Sequence, residues 1–523
     1  MIMSSTEKAT AHEKASFEVP PPPIPERDIK ETINVDVVVL GAGIAGMTAA
    51  LSAAEAGASI ILLEKGACYN YRGLHNAAIA SRLQKQVGIE IDRDQLISTI
   101  MEFGAYRGDQ RVVNVWADNC DRVMDWLIDM AEAAKKGVIL DTTTKPWYFP
   151  NYPVAHVFER ETYGFQASLA RILWDNVRAK GVDVRFDTQA VRLLREGRNR
   201  VTGVIAQNKQ SDYIHFNASK AVVLCTGDYG SDRQMVEKYC WKGVSELRSL
   251  YPDMTALAYS AQQCTIPDKD LNTGDGHKMG MWIGAAIDDP PHCAMLFDFT
   301  TWSKETLFDL GRQPWLYVNL NGERFMNEDL PWGYECSQLM QQPDNVAWSV
   351  WDDKWKQEAP IMRSQCCKNM GPPTYLWHDR WLDEAVENGN VLTASSIEEL
   401  AQKMEVPIES FKATVARYNE LAQKGKDLDF GKHPDRLTSL EKPLFYATKM
   451  TAVYLVILGG LKINASLQVL DTEGNVIPGL YAAGNVSGSF FGSQYPTTIP
   501  GLSHGRAWTF GRLAGLNAAA EKV

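Results

Sequence analysis

The stretch DVVVLGAGIAGMTAALSAAEAGASIILLEK, Asp36 to Lys65, constrains the fold more than any other part of the chain. Asp36 to Leu40 is a short apolar, β-branched run of the kind that forms a strand buried on both faces. The turn after it holds Gly41, Gly43 and Gly46, with Ile44 and Ala45 between. Gly41 permits the sharp turn, Gly43 lets backbone approach a pyrophosphate, and Gly46 lets the next helix sit closely on the strand. Free N–H groups at that helix start face the diphosphate. Met47 to Ala56 is helical, Gly57 ends it, Ser59 to Leu63 is a second buried strand, and Glu64 and Lys65 close the unit. Glu64 stands 23 positions beyond Gly41, near the ~20 at which an acid reaches the ribose hydroxyls. An acid there disfavours a 2′-phosphate. Such glycines also occur as plain turn residues, but here they lie between strand and helix with the acid at its distance. The stretch binds an ADP moiety, as in FAD or NAD.

At 523 residues the chain holds about two or three domains. A hydrophobic content of 45% and a charged content of 22% are those of a globular protein. The net charge of −11 argues against nucleic acid as a partner, because phosphate contacts need basic surface. No apolar run reaches the ~18 residues of a spanning helix, and no charged segment followed by an apolar one opens the chain. The expectation is a cytoplasmic protein without an integral membrane segment; an exported protein with its signal removed fits the same residues. Nine cysteines, at 68, 120, 225, 240, 264, 293, 336, 366 and 367, form no CxxC pair. They read as reduced thiols. Cys366 and Cys367 are taken as ordinary thiols rather than a redox pair or ligands, and no metal or iron–sulfur site is expected.

Residues 1–33 are polar, contain Pro20 to Pro23, and read as a flexible arm. After Glu64, the segment GACYNYRGLHNAAIASRLQKQVG places Arg72, His75, Asn76, Arg82 and Gln84 before or within a helix. They contact cofactor or substrate, or else they are solvated residues of a capped helix. Residues 92–136 and 165–180 are helical by apolar spacing. Strands follow at 183–186, 201–206, 213–216 and 221–225, the last ending in Thr226-Gly227, a glycine turn that brings backbone to the cofactor. Residues 189 and 190 (Gln189 and Ala190), just past the first of these strands, also belong to the expected cofactor set. Asn272 to Ala285 has glycines at a helix start beside Asp275. From about 290 to 440 the βα alternation is lost and Trp, Pro and Met are frequent, as in an inserted substrate domain. A hairpin turns at Asn321-Gly322. The C-terminal part returns to strands, then gives Gly484-Asn485, a glycine-rich loop, and Gly501-Leu502-Ser503 opening a helix. No second GxGxxG follows a strand, so the chain holds one flavin and takes electrons from outside.

With these segments in order, residues 34–523 resemble the FAD-dependent fumarate reductase and 3-ketosteroid dehydrogenase superfamily. The motifs are GAGIAG with Glu64, CTGDYG, TGDGHKM, NGERFMNE, and IPGLYAAGN followed by HGRAWTFGRLAG. The resemblance implies an α/β fold: a Rossmann-like FAD-binding domain in two sequence pieces, 34–290 and 441–523, with an inserted α+β capping domain, 291–440. It implies hydride exchange between flavin N5 and an activated C–C bond, with the terminal helix aimed at the flavin O2 side. FAD is not expected to be covalently held, since no histidine flanks the first glycine turn.

The fumarate reductases of that group bind a dicarboxylate with histidines and arginines and protonate it with an arginine. At the matching places this chain has Leu455 and Val456, Tyr495, Trp332 and Leu296, with His292 near. Two carboxylates would be poorly neutralised there. The loop YPTTIPG resembles instead the tyrosine loop of ketosteroid dehydrogenases, although Thr497 to Gly501 departs from its spacing. The resemblance makes Tyr495 the residue that polarises a ketone and implies a small, apolar substrate with a conjugated carbonyl. Reduced flavin gives hydride to the β-carbon, Tyr495 hydrogen-bonds the developing enolate oxygen, and a proton reaches the α-carbon. Tyr334 is taken as proton donor, with His504 and Arg506 in reserve; Trp332 shapes an apolar wall, and Arg324 and Glu328 hold the fold. The expected activity is reduction of an enone, lactone or ketosteroid, in the manner of anaerobic metabolism. The alternatives are the reverse, a ketosteroid-type dehydrogenase; a fumarate-type reductase; and a flavin redox subunit with no small-molecule substrate of its own.

Overall fold

The computed structural model describes residues 14–142, 147–159, 167–250, 259–260, 262–265, 267, 270–300, 309–362 and 379–522. Cys366 and Cys367 lie outside these. Its larger sheet has eight strands. The strand Ile29–Leu40 is central, with Ile60–Leu63 parallel on one side and Tyr213–Leu224 parallel on the other. Val37 to Leu40 and Ile60 to Leu63 are buried on both faces, which is why they read as unbroken apolar runs. Asp183–Arg185 and Val476–Ala482 extend this parallel core outward, and Gln468–Leu470 adds an antiparallel edge. Gln189–Arg195 and Val201–Gln207 form an antiparallel hairpin on Tyr213–Leu224. On one face the helix Ile44–Glu55 packs against the terminal helix Leu502–Ala520. The contact is close because Gly511 and Gly515 face the carbonyls of Ala45 and Ala49, where a Cβ would overlap.

The sheet differs from the sequence reading in two places. Tyr213–Leu224 is one strand of 12 residues where two were expected, and Gln189–Arg195 is a strand that the polar composition did not suggest. The helical stretch 92–136 is three helices, Arg93–Phe103, Gln110–Ala117 and Cys120–Ala133, broken at Gly104 and restarted by the Asp109 cap. The described part of the expected arm is docked rather than loose. Phe17 is buried against Tyr239, its carbonyl accepts from the Trp282 indole N–H at 2.9 Å, and Glu18 pairs with Lys238 at 2.6 Å. One buried aromatic ring anchors this otherwise polar stretch.

The cap is built on a second sheet of six strands. Its spine is Phe445–Ile457, which pairs with Ala294–Thr300, Val346–Asp352, Leu392–Ala394 and Arg248–Ser249. Two of these strands, 248–249 and 445–457, come from sequence outside 291–440. Leu316–Asn319 pairs with Val346–Asp352, and the chain reverses through Gly322, φ +74°. Arg324, Glu328 and Asp427 form a buried ion network within the cap: Arg324 lies 2.8 Å from Glu328 and 2.7 Å from Asp427, and Lys432 is 3.4 Å from Glu328. Among the described residues no helix is long and apolar enough to cross a membrane.

Candidate active site

A cleft with about 1870 Å³ of empty space, counted to its open mouth, runs between the sheet's glycine turns and the cap. The first glycine turn forms its inner end. Gly41, at φ +100°, has its Cβ position 2.5 Å from the Cys225 carbonyl oxygen, whereas a Cβ at Gly43 would meet nothing within 4 Å. So the first glycine makes the turn and the second leaves bare backbone facing the cleft. Glu64 accepts N–H groups from Ala42 and Gly66, both at 2.7 Å. Burial pushes its carboxyl up, against these N–H groups, which favour the charged form. Lys65 donates to Thr273 at 2.8 Å and pairs with Asp275 at 2.9 Å, and Gln189 donates to the same Asp275 oxygen at 3.1 Å. Burial raises Asp275, but the Lys65 ammonium more than offsets this and keeps the carboxyl below its usual range. Arg72 pairs with Asp228 at 3.1 Å, and the Thr226 hydroxyl is buried with no partner among the described residues.

Of the cofactor residues expected from sequence, Gly41, Gly43, Ile44, Ala45, Glu64, Lys65, Arg72, His75, Gln189, Ala190, Thr226, Gly227, Asp275, Gly484, Asn485, Gly501 and Ser503 line this one cleft. Gly46, Asn76 and Leu502 do not: a Cβ on Gly46 would overlap the Gly41 carbonyl, Asn76 donates to the carbonyls of Leu74 and His156, and Leu502 is core. Arg82 pairs outward with Asp129 and Glu132, and Gln84 completes a helix capping box with Ser81.

The cap end of the cleft is apolar: Leu250, Met295, Phe297, Trp332, Leu455 and Val456, with Tyr495. Tyr495 accepts the Ser503 N–H, at the start of the terminal helix, at 3.1 Å. That N–H occupies one lone pair of the phenol oxygen and polarises its O–H. His504 lines the cleft with Nδ1 at 3.0 Å from the His75 carbonyl; a carbonyl only accepts, so Nδ1 carries the proton. Burial holds this imidazole down to about 4, so it is neutral at pH 7. Arg506 lies behind the wall, donating to the Ser487 carbonyl and the Asn485 side chain, each at 3.0 Å. Tyr334 is also outside the lining, stacked on Phe103 with ring centres 5.1 Å apart and 6.0 Å from Phe149.

The structure adds Arg312, which sequence reasoning missed. It is buried in the cleft wall, its guanidinium 4.8 Å from the Trp332 ring centre and 3.1 Å from Asp298. Trp332 in turn leans on Phe297, ring centres 4.5 Å apart. Nothing in the local sequence around Arg312, at the end of the short turn Asp309–Arg312, marks it.

The residues present fit a dinucleotide. Bare backbone at Gly43, an orphaned Thr226 hydroxyl, an acid at the strand end and a helix N-terminus beyond Gly501 are the donor set and cradle that an extended diphosphate cofactor needs. The FAD binding domain family matches residues 36–497. The chain is 29% identical over 504 residues to a vinyl phenol reductase of Lactiplantibacillus plantarum, covering 93% of this chain and 96% of that one. It is 27% identical to a probable fumarate reductase of Shewanella frigidimarina, covering 93% and 75% of the two chains. The solved 3-ketosteroid Δ4-(5α)-dehydrogenase of Rhodococcus jostii shares the fold, with a TM-score of 0.70 at 21% identity over 94% of this chain and 99% of that one. The protein therefore belongs to the FAD binding domain family, resembles fumarate reductases and 3-ketosteroid dehydrogenases within it, and is an FAD-dependent oxidoreductase acting on carbon–carbon bonds.

Proposed function

We propose that the enzyme reduces the C=C bond of a small, largely apolar α,β-unsaturated carbonyl compound, with electrons from an external donor. One observation carries this reading: the cap end of the cleft is a wall of Leu250, Met295, Phe297, Trp332, Leu455 and Val456 that includes the phenol of Tyr495. Among the described residues the one cation in that wall, Arg312, is already balanced by Asp298. Such a pocket suits one polarisable oxygen on an apolar body and gives two carboxylates no second cation.

FAD, when bound in its reduced form, supplies the hydride. Tyr495 supplies a hydrogen bond to the substrate oxygen on which negative charge develops, backed by the Ser503 N–H. Leu455, Val456 and Phe297 exclude water and so strengthen this hydrogen bond. Tyr495 also carries a transferable proton within the cleft, which supports a role in delivering it to carbon. Tyr334 supports that role less, because its ring is engaged with Phe103 away from the lining.

A second reading is favoured by the relative that matches end to end, the vinyl phenol reductase. In it the alkene is conjugated to a hydroxylated aromatic ring, and a phenol oxygen takes the Tyr495 hydrogen bond. Anaerobic reoxidation of dithionite-reduced enzyme tests both. Rapid return of flavin absorbance with enones supports the first reading, and with 4-hydroxystyrenes alone the second. Fast reoxidation by fumarate with neither class active would overturn both.

A further inference from the structure

Arg506, on the terminal helix Leu502–Ala520, is wholly buried and forms no ion pair among the described residues. Its Nη1 donates to the Ser487 carbonyl and its Nη2 to Oδ1 of Asn485, each at 3.0 Å. The guanidinium carbon lies 4.8 Å from the Phe491 ring centre and 5.7 Å from that of Phe490, and Nε has no partner among the described residues. Burial pushes the guanidinium down to about 10, against the field of the Asp288 carboxylate, so it is charged at pH 7. A cation in such surroundings is expensive to bury without a paired anion.

These contacts fix the Asn485 amide. A guanidinium only donates, so the amide atom that meets Nη2 is the oxygen, and the Ser503 hydroxyl donates to the same oxygen at 3.4 Å. The amide nitrogen is left with no partner among the described residues, on a half-buried residue that lines the cofactor cleft. The preceding Gly484 has its Cβ position 3.1 Å from the Cβ of Ala45, on the first helix, while Ser503 gives its N–H to Tyr495. Asn485 therefore stands between the first glycine turn and the phenol.

We propose that Arg506 is a positioning residue for FAD, which clamps the Asn485 amide with its N–H groups toward the cofactor and sets behind them a charge that the anionic, reduced cofactor balances. The ring of oxidised FAD is neutral and leaves this cation uncompensated. Reduction by two electrons from the external donor, with uptake of one proton, puts one negative charge on the ring. The guanidinium attracts that charge across a medium of low dielectric, and the amide it polarises donates more strongly. The role is toward the cofactor and is the same for either class of alkene.

The test is an anaerobic dithionite titration of FAD-loaded enzyme with a reporter dye of known potential, run on wild type, Arg506→Met, Arg506→Lys and Asn485→Asp, with a thermal melt of each. In Arg506→Met the ratio of reduced to oxidised flavin at a fixed potential should fall about tenfold, the low end for a hydrogen bond to a charged group. For a two-electron couple this is about 30 mV to lower potential. Arg506→Lys, which keeps the charge, should stay within about threefold of wild type. Asn485→Asp cancels the cation in place, so it should melt higher than wild type while its reduced-to-oxidised ratio falls at least as far as in Arg506→Met; it decides the matter if Arg506→Met does not fold. An unchanged potential in Arg506→Met or Asn485→Asp, a fall in Arg506→Lys as large as in Arg506→Met, or an Asn485→Asp that melts no higher than wild type would each overturn the proposal.

Discussion

Tyr495 holds its hydroxyl between the first turn of the terminal helix and the apolar end of the cleft, where it accepts the Ser503 N–H and carries a phenolic O–H donor. Tyr495→Phe removes only that donor. We expect kcat/KM for the preferred alkene to fall about 100-fold, in line with loss of one oxyanion-hole donor, while the flavin absorbance of the purified variant is unchanged. Arg324 presents the opposite case, a charged residue whose work is structural. Burial raises Asp427, yet the Arg324 guanidinium and the backbone N–H groups of Phe430 and Lys432 bring its carboxyl down to about 2. A carboxyl lowered in the fold stabilises above its unfolded value and loses that contribution as pH falls. About 2 kcal/mol should therefore disappear between pH 4 and pH 2. Arg324→Met should cost about 3–5 kcal/mol at pH 7, because it strands two buried carboxylates, and the cost should shrink as they protonate; urea unfolding across that pH range measures both. At this scale the sequence was legible where function is local. Gly41, Gly43 and Glu64 line the cleft at the spacing read from sequence, whereas Arg312 ends the short turn Asp309–Arg312 and meets Trp332 with no local motif to mark it.

Elements were legible where their periodicity is undisturbed by contacts from elsewhere. The strand–turn–helix unit at Asp36–Lys65 needs no outside partner to declare itself, and the terminal helix begins at Leu502, beside the expected Ser503. The strand Gln189–Arg195 stayed hidden because it is half exposed, with Arg192 and Arg195 donating to neighbouring carbonyls, so no apolar alternation marks it. The helix pair 44–55 and 502–520 offers a test of what its glycines do. Gly515→Ala puts a methyl group into the Ala49 carbonyl, and overpacking of this kind costs about 1–3 kcal/mol. We expect a lower melting temperature and weaker FAD retention, since the same two helices carry Gly43, Ser503 and His504 to the cleft.

For the whole molecule, the two sheets and their division of labour were foreseeable from the loss of βα alternation, but the seam between them was not. The N-terminal stretch shows why: its composition is that of a linker, yet buried Phe17, with Ser16 and Glu18 beside it, binds it to the helix Arg233–Tyr239 and to Trp282. Phe17→Ala should lower stability by about 3 kcal/mol, seen as an earlier thermal transition, with kcat unaltered below it. The strand Phe445–Ile457 crosses the same seam. It is the spine of the cap's sheet, and its last turns supply Leu455 and Val456 to the cleft. A lid hung on a separate hinge can swing while the pocket keeps its shape. Here the strand that carries the cap is also part of the pocket wall, so a substitution that shifts this strand alters the cap and the fit of substrates together.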